Sequence, residues 1–374
     1  MYPVFMLAGP VKVDPRVLEA MRRAVINHRG AEFRQVNKDI REGLRYLFQS
    51  KTGEVAAISG SGTAGLEAVI TSLLRKDDKV LCLVNGKFSE RSHELSNLVA
   101  KPTQLEFPWG KPMDVDRVAA ALESGGYRAL AICHNETSTA VTNPLREVAA
   151  LCRKHDALCL VDGITSVGGI EVRPEEWGLD AVVMGSQKCI AAPAGMAGVY
   201  VSRRAYEQLH EDRAYYLNLK AHVDALRDEE DTPYTPSIPL FLAVREALRL
   251  LKEEGLETRI QRTTRLAEAC RTAAKAAGLS LYPDERVASN TVSAINYPPG
   301  ADDSAFRKKL LKEHNVVVAG GQAQLKGKIF RIGHMGICSF EDLRATWAAI
   351  EAVLAGVLHP VKPGAAVAEI DARK

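Results

Sequence analysis

Two charged residues follow apolar runs, where a buried charge without a partner is costly. Ala157–Val161 leads into Asp162, and Ala181–Met184 leads into Gly185-Ser186-Gln187-Lys188. If both runs are strands, Asp162 and Lys188 arrive at carboxyl ends, the edge of an open α/β sheet where ligands collect. Taken singly, each has a plainer reading. A lysine in a loop is a solvated surface charge, and an aspartate after a strand is a helix N-cap. A third feature adds to the pair. The run EVAAIS at 54–59 passes into Gly60-Ser61-Gly62-Thr63-Ala64-Gly65 and then a helical stretch, a match to G-x-G-x-x-G. Backbone N–H groups at a helix N-terminus, beside Ser and Thr hydroxyls, make an anion site. A dinucleotide site also needs an acid at the end of the next strand to hold a ribose. That run ends Leu83-Val84-Asn85. A site for one phosphate survives, with a simple strand–helix turn as the alternative.

One chemistry uses a lysine, a carboxylate and a phosphate site together. A lysine amine forms a Schiff base with pyridoxal 5'-phosphate (PLP), while an acid holds the proton on the pyridine nitrogen so that the ring accepts electrons. A desolvated lysine also loses basicity, which suits nucleophilic attack and proton transfer.

The elements that must position these groups are legible in the patterning. Short apolar runs recur near 54–59, 79–84, 102–106, 128–133, 157–162, 180–184 and 197–201, with amphipathic stretches such as Leu66–Leu74, Val115–Leu122 and Leu145–His155 between most of them. Strands alternating with helices predict an α/β fold with a mainly parallel sheet covered on both faces. The last runs follow too closely for intervening helices, so the sheet is expected to be mixed. The first 50 residues read as mostly helical, with Asp14-Pro15 opening one helix and a second spanning Glu32 to Gln49. From about 203 to 278 the pattern is helical, and Pro239–Glu254 ends at Gly255, a suitable C-cap. Thr291–Ile295, Ser304–Glu313, Ile329–Ile332 and Phe340–Leu354 read as strand, helix, strand and helix of a smaller α+β unit. The Pro/Ala-rich tail after His359 is expected to be loosely held. The expected organisation is therefore a large α/β domain at 13–255, a small C-terminal α+β domain at 256–374, and an N-terminal segment at 1–12.

A net charge of +3 over 374 residues, with no basic run, gives no reason to expect a nucleic-acid partner. No apolar run approaches the roughly 20 residues of a membrane span, and Val4–Ala8 is too short for a signal peptide; the expected location is cytoplasmic. Seven cysteines, an odd number without a CxxC pair, argue against a disulfide framework or a zinc finger. GxSxG, the phosphate-binding GxxxxGK[ST] and HExxH are all missing, which removes the hydrolase, P-loop and zincin readings. No metal site is expected. His334, close to Arg331, reads either as a pocket residue or as a strand-end histidine bonded to backbone.

In order along the chain stand AGP at 8–10, HRGAEF at 28–33, SGSGTAGLEA at 59–68, NGKFSER at 85–91, HNETSTAV at 134–141, VDGITSVGG at 161–169, GSQKC at 185–189, TPYTP at 232–236 and FRIGHMG at 330–336. This series, from Leu7 to about Leu354, resembles the class V aminotransferases, in particular the alanine–glyoxylate and serine–pyruvate branch. The resemblance implies a PLP-dependent transferase of fold type I. It implies Lys188 as the Schiff-base lysine and proton shuttle, and Asp162 as partner of the pyridine nitrogen. Ser61, Gly62 and Thr63 would cradle the phosphate, helped by Gln187 and by Thr235 of a neighbouring subunit. Thr137 would sit near the ring hydroxyl, Phe88 would stack on one face and Ile164 would pack on the other. Arg331 would clamp the substrate carboxylate, a task suited to a bidentate guanidinium, and Gly9 and Pro10 would line the pocket. Three departures alter the pocket rim: Phe88 where the branch often has Trp, Thr63 where animal enzymes have His, and Thr232 where a Tyr is usual.

The implied activity is a ping-pong transfer of an amino group from alanine or serine to glyoxylate or pyruvate, by a homodimer with its sites at the interface. The same family contains cysteine desulfurases, whose mobile-loop cysteine would here have to be Cys338. A nicotinamide oxidoreductase built on Gly60–Gly65 would leave Asp162, Lys188 and Arg331 unexplained. A non-catalytic protein keeping the fold is the remaining alternative.

Overall fold

A computed structural model describes residues 3–355 and 363–374. In chain order the strands are β1 (Val4–Met6), β2 (Glu54–Ser59), β3 (Lys79–Val84), β4 (Lys101–Glu106), β5 (Ala129–Cys133), β6 (Asn135–Glu136), β7 (Val141–Thr142), β8 (Leu158–Asp162), β9 (Ala181–Gly185), β10 (Met196–Val201), β11 (Val292–Asn296), β12 (Val316–Gly320) and β13 (Ile329–Gly333). The seven apolar runs form one sheet in the order β2-β10-β9-β8-β5-β3-β4. Neighbours from β9 to β4 are parallel, whereas β10 runs antiparallel to both β9 and β2. Two reversals restore the direction of β2, so its carboxyl end lies on the same edge as those of β9, β8, β5 and β3. That edge receives the residues following each strand: Gly60–Thr63, Asn85–Phe88, His134–Thr137, Asp162 and Gln187-Lys188.

The strands are short, uninterrupted apolar runs because both faces are covered. The helix Gly62–Leu73 covers one face, and the helices Ala31–Leu47 and Ile238–Glu254 pack on the other through Phe33, Ile40, Leu44, Phe241 and Leu248. Near the start, Asp14 caps the helix Pro15–Met21 by accepting from Arg16 N, as the Asp-Pro pair predicts. The opening 50 residues are less helical than expected. The segment 22–30 is not helical, and Val4–Met6 is a strand. Within 203–278 the chain forms four helices, Arg203–Tyr206, Leu219–Asp228, Ile238–Glu254 and Leu256–Ala276, with non-helical stretches at 207–218 and 229–237.

The second sheet has the order β1-β12-β13-β11. It buries Met6, Phe306, Phe330, Ile332, Trp347 and Ile350 in a separate apolar cluster. Full burial of each such side chain is worth about 1.5–3 kcal/mol. We propose that the chain divides at Gly255 into the large unit 13–255 and the small unit 256–374. The expected N-terminal segment is tied to the small unit by β1, which pairs in parallel with β12. The three-residue β1 becomes a strand only through β12, which also pairs with β13.

The tail is more ordered than its composition predicts. Residues up to Lys362 that follow His359 lie outside the described residues, but beyond them Ala365–Asp371 forms a helix. Its Ala366 and Ile370 are buried in the second cluster, and Glu351 accepts from the backbone N–H groups of Gly364 and Ala366. Arg344 pairs with Asp371 at 2.9 Å. The alanine-rich composition that suggested a loose tail is that of a helix able to pack closely.

Candidate active site

A cavity of about 220 Å³ opens at the carboxyl edge of the large sheet. Ten of the sequence-derived candidates line it: Gly9, Ser61, Gly62, Thr63, Phe88, Thr137, Asp162, Ile164, Gln187 and Lys188.

Lys188 sits in the turn between the antiparallel β9 and β10. Its Nζ donates to the Ala8 carbonyl at 2.6 Å. Burial pushes the amine down to about 8; Arg331 and Arg91 act in the same direction, and Asp162 opposes them. The segment before α-helical structure begins is locked against this turn, because Val11 N also donates to the Gln187 carbonyl at 3.1 Å. Gly9 is required there twice over. Its φ is +108°, and a Cβ would overlap the Lys188 side chain.

Asp162 ends β8 and is 4% exposed. Its Oδ1 accepts from Ile164 N at 3.0 Å, the local turn-capping role that its sequence position allows. Its Oδ2 accepts from Arg91 Nη2 at 2.6 Å. The carboxylate therefore both shapes the turn and faces the cavity.

Ser61 is the N-cap of the helix Gly62–Leu73, and its side chain makes no capping bond. The first N–H groups of a helix lack intrahelical partners, so this end is equipped for an anion. Gly62 permits a close approach, since a Cβ would collide with Ile164 Cδ1. Gln187 adds a buried amide oxygen with no hydrogen-bond partner. A bare helix N-terminus for the phosphate, a buried amine for the aldehyde and a carboxylate for the ring nitrogen are together the groups that a phosphorylated pyridine aldehyde calls for. The residues present fit PLP.

Phe88 lies in the first turn of the helix Lys87–Val99, which is anchored by a residue given no role from sequence. Glu136 accepts from Phe88 N at 3.0 Å, Ser89 N at 2.8 Å, Ser89 Oγ at 3.1 Å and Ser138 Oγ at 2.5 Å. Burial raises its pKa, and these donors hold the rise in check. Arg91 was likewise unassigned. Both lie in stretches already singled out, HNETSTAV and NGKFSER, but only the fold shows what they touch. Asn135 and Thr165, also at the cavity wall, bond to each other: Asn135 Nδ2 donates to Thr165 Oγ1 at 3.0 Å, and Thr165 Oγ1 donates to Asn135 O at 2.8 Å.

Three candidates stand apart from the cavity wall. Arg331, in β13, is buried and donates through Nε to Gly320 O at 3.0 Å and through Nη1 to Thr137 O at 2.8 Å. Among the described residues no carboxylate pairs with it. Burial lowers its pKa to about 10. Pro10 and Thr235 are exposed and do not line the pocket of their own chain. His334 is fully buried and bonds to Ser293 Oγ at 3.0 Å, outside the cavity. Cys338 is no mobile-loop thiol: it is buried in the second cluster beside Met6, and burial raises its pKa strongly. Among the described residues there is no group of side chains suited to a metal ion, and no helix long and apolar enough to cross a membrane.

Fold and pocket define a PLP-dependent transaminase of fold type I. The family model for aminotransferase class-V matches residues 7–340, and the chain belongs to that family. A protein of Methanocaldococcus jannaschii called an uncharacterized aminotransferase is 40% identical, over 96% of this chain and 94% of its own. Serine–glyoxylate aminotransferase of Arabidopsis thaliana is 32% identical, over 96% and 92%. The crystal structure of ureidoglycine–glyoxylate aminotransferase from Bacillus subtilis superposes with a TM-score of 0.96 at 32% identity, covering 100% of this chain and 98% of that one.

Proposed function

We propose that the chain uses PLP to move an amino group from a small amino acid, alanine or serine, to glyoxylate or pyruvate, in two half-reactions. The observation that carries this is the meeting of the buried Lys188 amine and the Asp162 carboxylate in one cavity beside a helix N-terminus. When bound, PLP supplies an aldehyde that joins primary amines and a ring that withdraws electrons. Ser61, Gly62, Thr63 and Gln187 bind its phosphate. Phe88 and Ile164, which line the cavity, would confine its ring, and Thr137 would hold its hydroxyl. Asp162 holds the proton on the ring nitrogen. Lys188, made less basic by burial, carries the cofactor at rest and then moves the proton from the substrate α-carbon. Arg331 orients the substrate carboxylate, because a buried guanidinium bonded only to carbonyls keeps an unmet electrostatic demand. Glyoxylate appears in the names of two relatives, which supports it as acceptor.

The exposed Thr235 supports a homodimer in which it reaches the partner's phosphate site. Buried free cysteines fit a reducing, cytoplasmic setting. The decisive test is Lys188→Ala in protein supplied with PLP. The visible band of covalently held cofactor should vanish and transamination should be lost; a persistent band would overturn the assignment. A donor–acceptor screen then fixes the substrate pair.

A further inference from the structure

The cavity holds a cation that this scheme leaves without a task. Arg91 projects from the helix Lys87–Val99, and its Nη2 donates to Asp162 Oδ2 at 2.6 Å. Its Nη1 donates to Thr63 Oγ1 at 3.0 Å, and its guanidinium carbon lies 5.2 Å from the centre of the Phe88 ring. One side chain thus ties the phosphate cradle to the acid and to the aromatic wall. The titratable groups around it come from every wall: Cys133 at the end of β5, Glu136 in β6, Asp162 at the end of β8, and Lys188 beyond β9, on which Arg331 also acts.

A carboxylate that already carries a guanidinium is not a lone negative charge. Two of the acceptor positions of Asp162 are taken, by Arg91 and by Ile164 N, which fixes its plane. In a buried site of low effective dielectric, a positive group several ångströms away alters how tightly neighbouring nitrogens hold protons. We infer that Arg91 is a positioning residue for the reaction, acting through Asp162: it orients the carboxylate and offsets its charge, so that the Lys188 nitrogen, once joined to the cofactor, would release its proton more readily while Asp162 keeps the ring nitrogen protonated. The inference rests on the PLP reading above. It goes beyond that reading in giving the site a net charge set by two residues rather than one.

The test titrates the visible band of PLP bound to purified protein against pH. Relative to the unsubstituted protein, Arg91→Gln should raise the midpoint by about one unit, a tenfold change in proton affinity. Arg91→Lys, which keeps the charge, should restore more than half of the difference. Should Arg91→Gln fail to fold, Arg91→Met provides the same comparison. An unmoved midpoint in the neutral variants, or equal shifts in the Lys and Gln variants, would overturn the inference. Affinities of the apoprotein for PLP and for pyridoxal give an independent reading. A loss confined to PLP, with the midpoint unmoved, would make Arg91 a phosphate ligand instead and would also overturn it. Failure of the unsubstituted protein to develop a band with PLP would strike the cofactor reading itself, so the two failures are separable.

Discussion

Two arginines lie at the candidate site, Arg91 on the cavity wall and Arg331 behind Thr137, and their surroundings are opposite. Arg91, on the large-sheet side, gives one hydrogen bond to a carboxylate. Burial works against its charge, and Asp162 more than offsets this, leaving its pKa raised. Arg331, on the small-sheet side, has carbonyl partners only, and burial lowers its pKa to about 10. Both remain cations at neutral pH. The difference teaches that the two sides of the site divide the electrostatic work. The wall built from the large sheet is neutralised within the protein and is suited to a resident group. Arg331 on β13, behind that wall, keeps an unbalanced charge, suited to a carboxylate that comes and goes.

Removing the internal partner should do the most damage. Asp162→Asn leaves Arg91 buried without its counter-charge and removes the proposed anchor of the ring proton. A fall in kcat on the order of 10²–10³-fold is expected, measured at saturating donor and acceptor. Removing the unbalanced cation should act on substrate binding instead. Arg331→Gln should lower kcat/KM for both donor and 2-oxo acid by about 10²-fold, the effect of losing one charged hydrogen-bonding partner. The visible band of the bound cofactor should survive. If Arg331→Gln abolished the band and left KM alone, the division between the two sides would be wrong.

The resident lysine gives a prediction in pH. With the Lys188 pKa lowered to about 8, the free amine fraction grows as pH rises and is nearly complete above that value. Capture of PLP by apoprotein should therefore quicken about tenfold per unit at low pH and level off above about 8, as followed by stopped-flow absorbance. A plateau only near the ordinary lysine value would show that burial does not prepare the amine.

The smallest effect is expected away from both sides of the site. Glu175 Oε1 accepts from Ser50 Oγ and from the backbone N–H groups of residues 51 to 53, fastening the loop that enters β2. Burial would raise its pKa, but these donors outweigh it and lower the value to about 2. A carboxylate depressed on folding contributes stability above its ordinary pKa, and that contribution is lost as pH falls through the folded value. Glu175→Gln should cost about 1–3 kcal/mol at neutral pH, with the difference in denaturation midpoint shrinking as pH falls from about 4.5 toward 2. Activity in the folded variant should be unchanged, marking this carboxylate as structural.

Much of the geometry was written locally. An apolar run ending in Asp162, another ending near Lys188, and a glycine-rich turn before a helix each announce themselves within ten residues. A parallel sheet then brings such ends to one edge, because strands buried on both faces share direction and expose their ends together. The tertiary structure alone decided what depends on partners distant in sequence. The Arg91–Asp162 pair joins a helix to a strand end 71 positions away. Gly9 meets Lys188 only because β1 is drawn into the small sheet by β12. The tail becomes an ordered helix because Glu351 and the second apolar cluster receive it. A periodic pattern records which face of an element avoids water. It does not record which other element supplies the cover, and that choice, made by packing, sets which charges in this pocket are paired and which are left open.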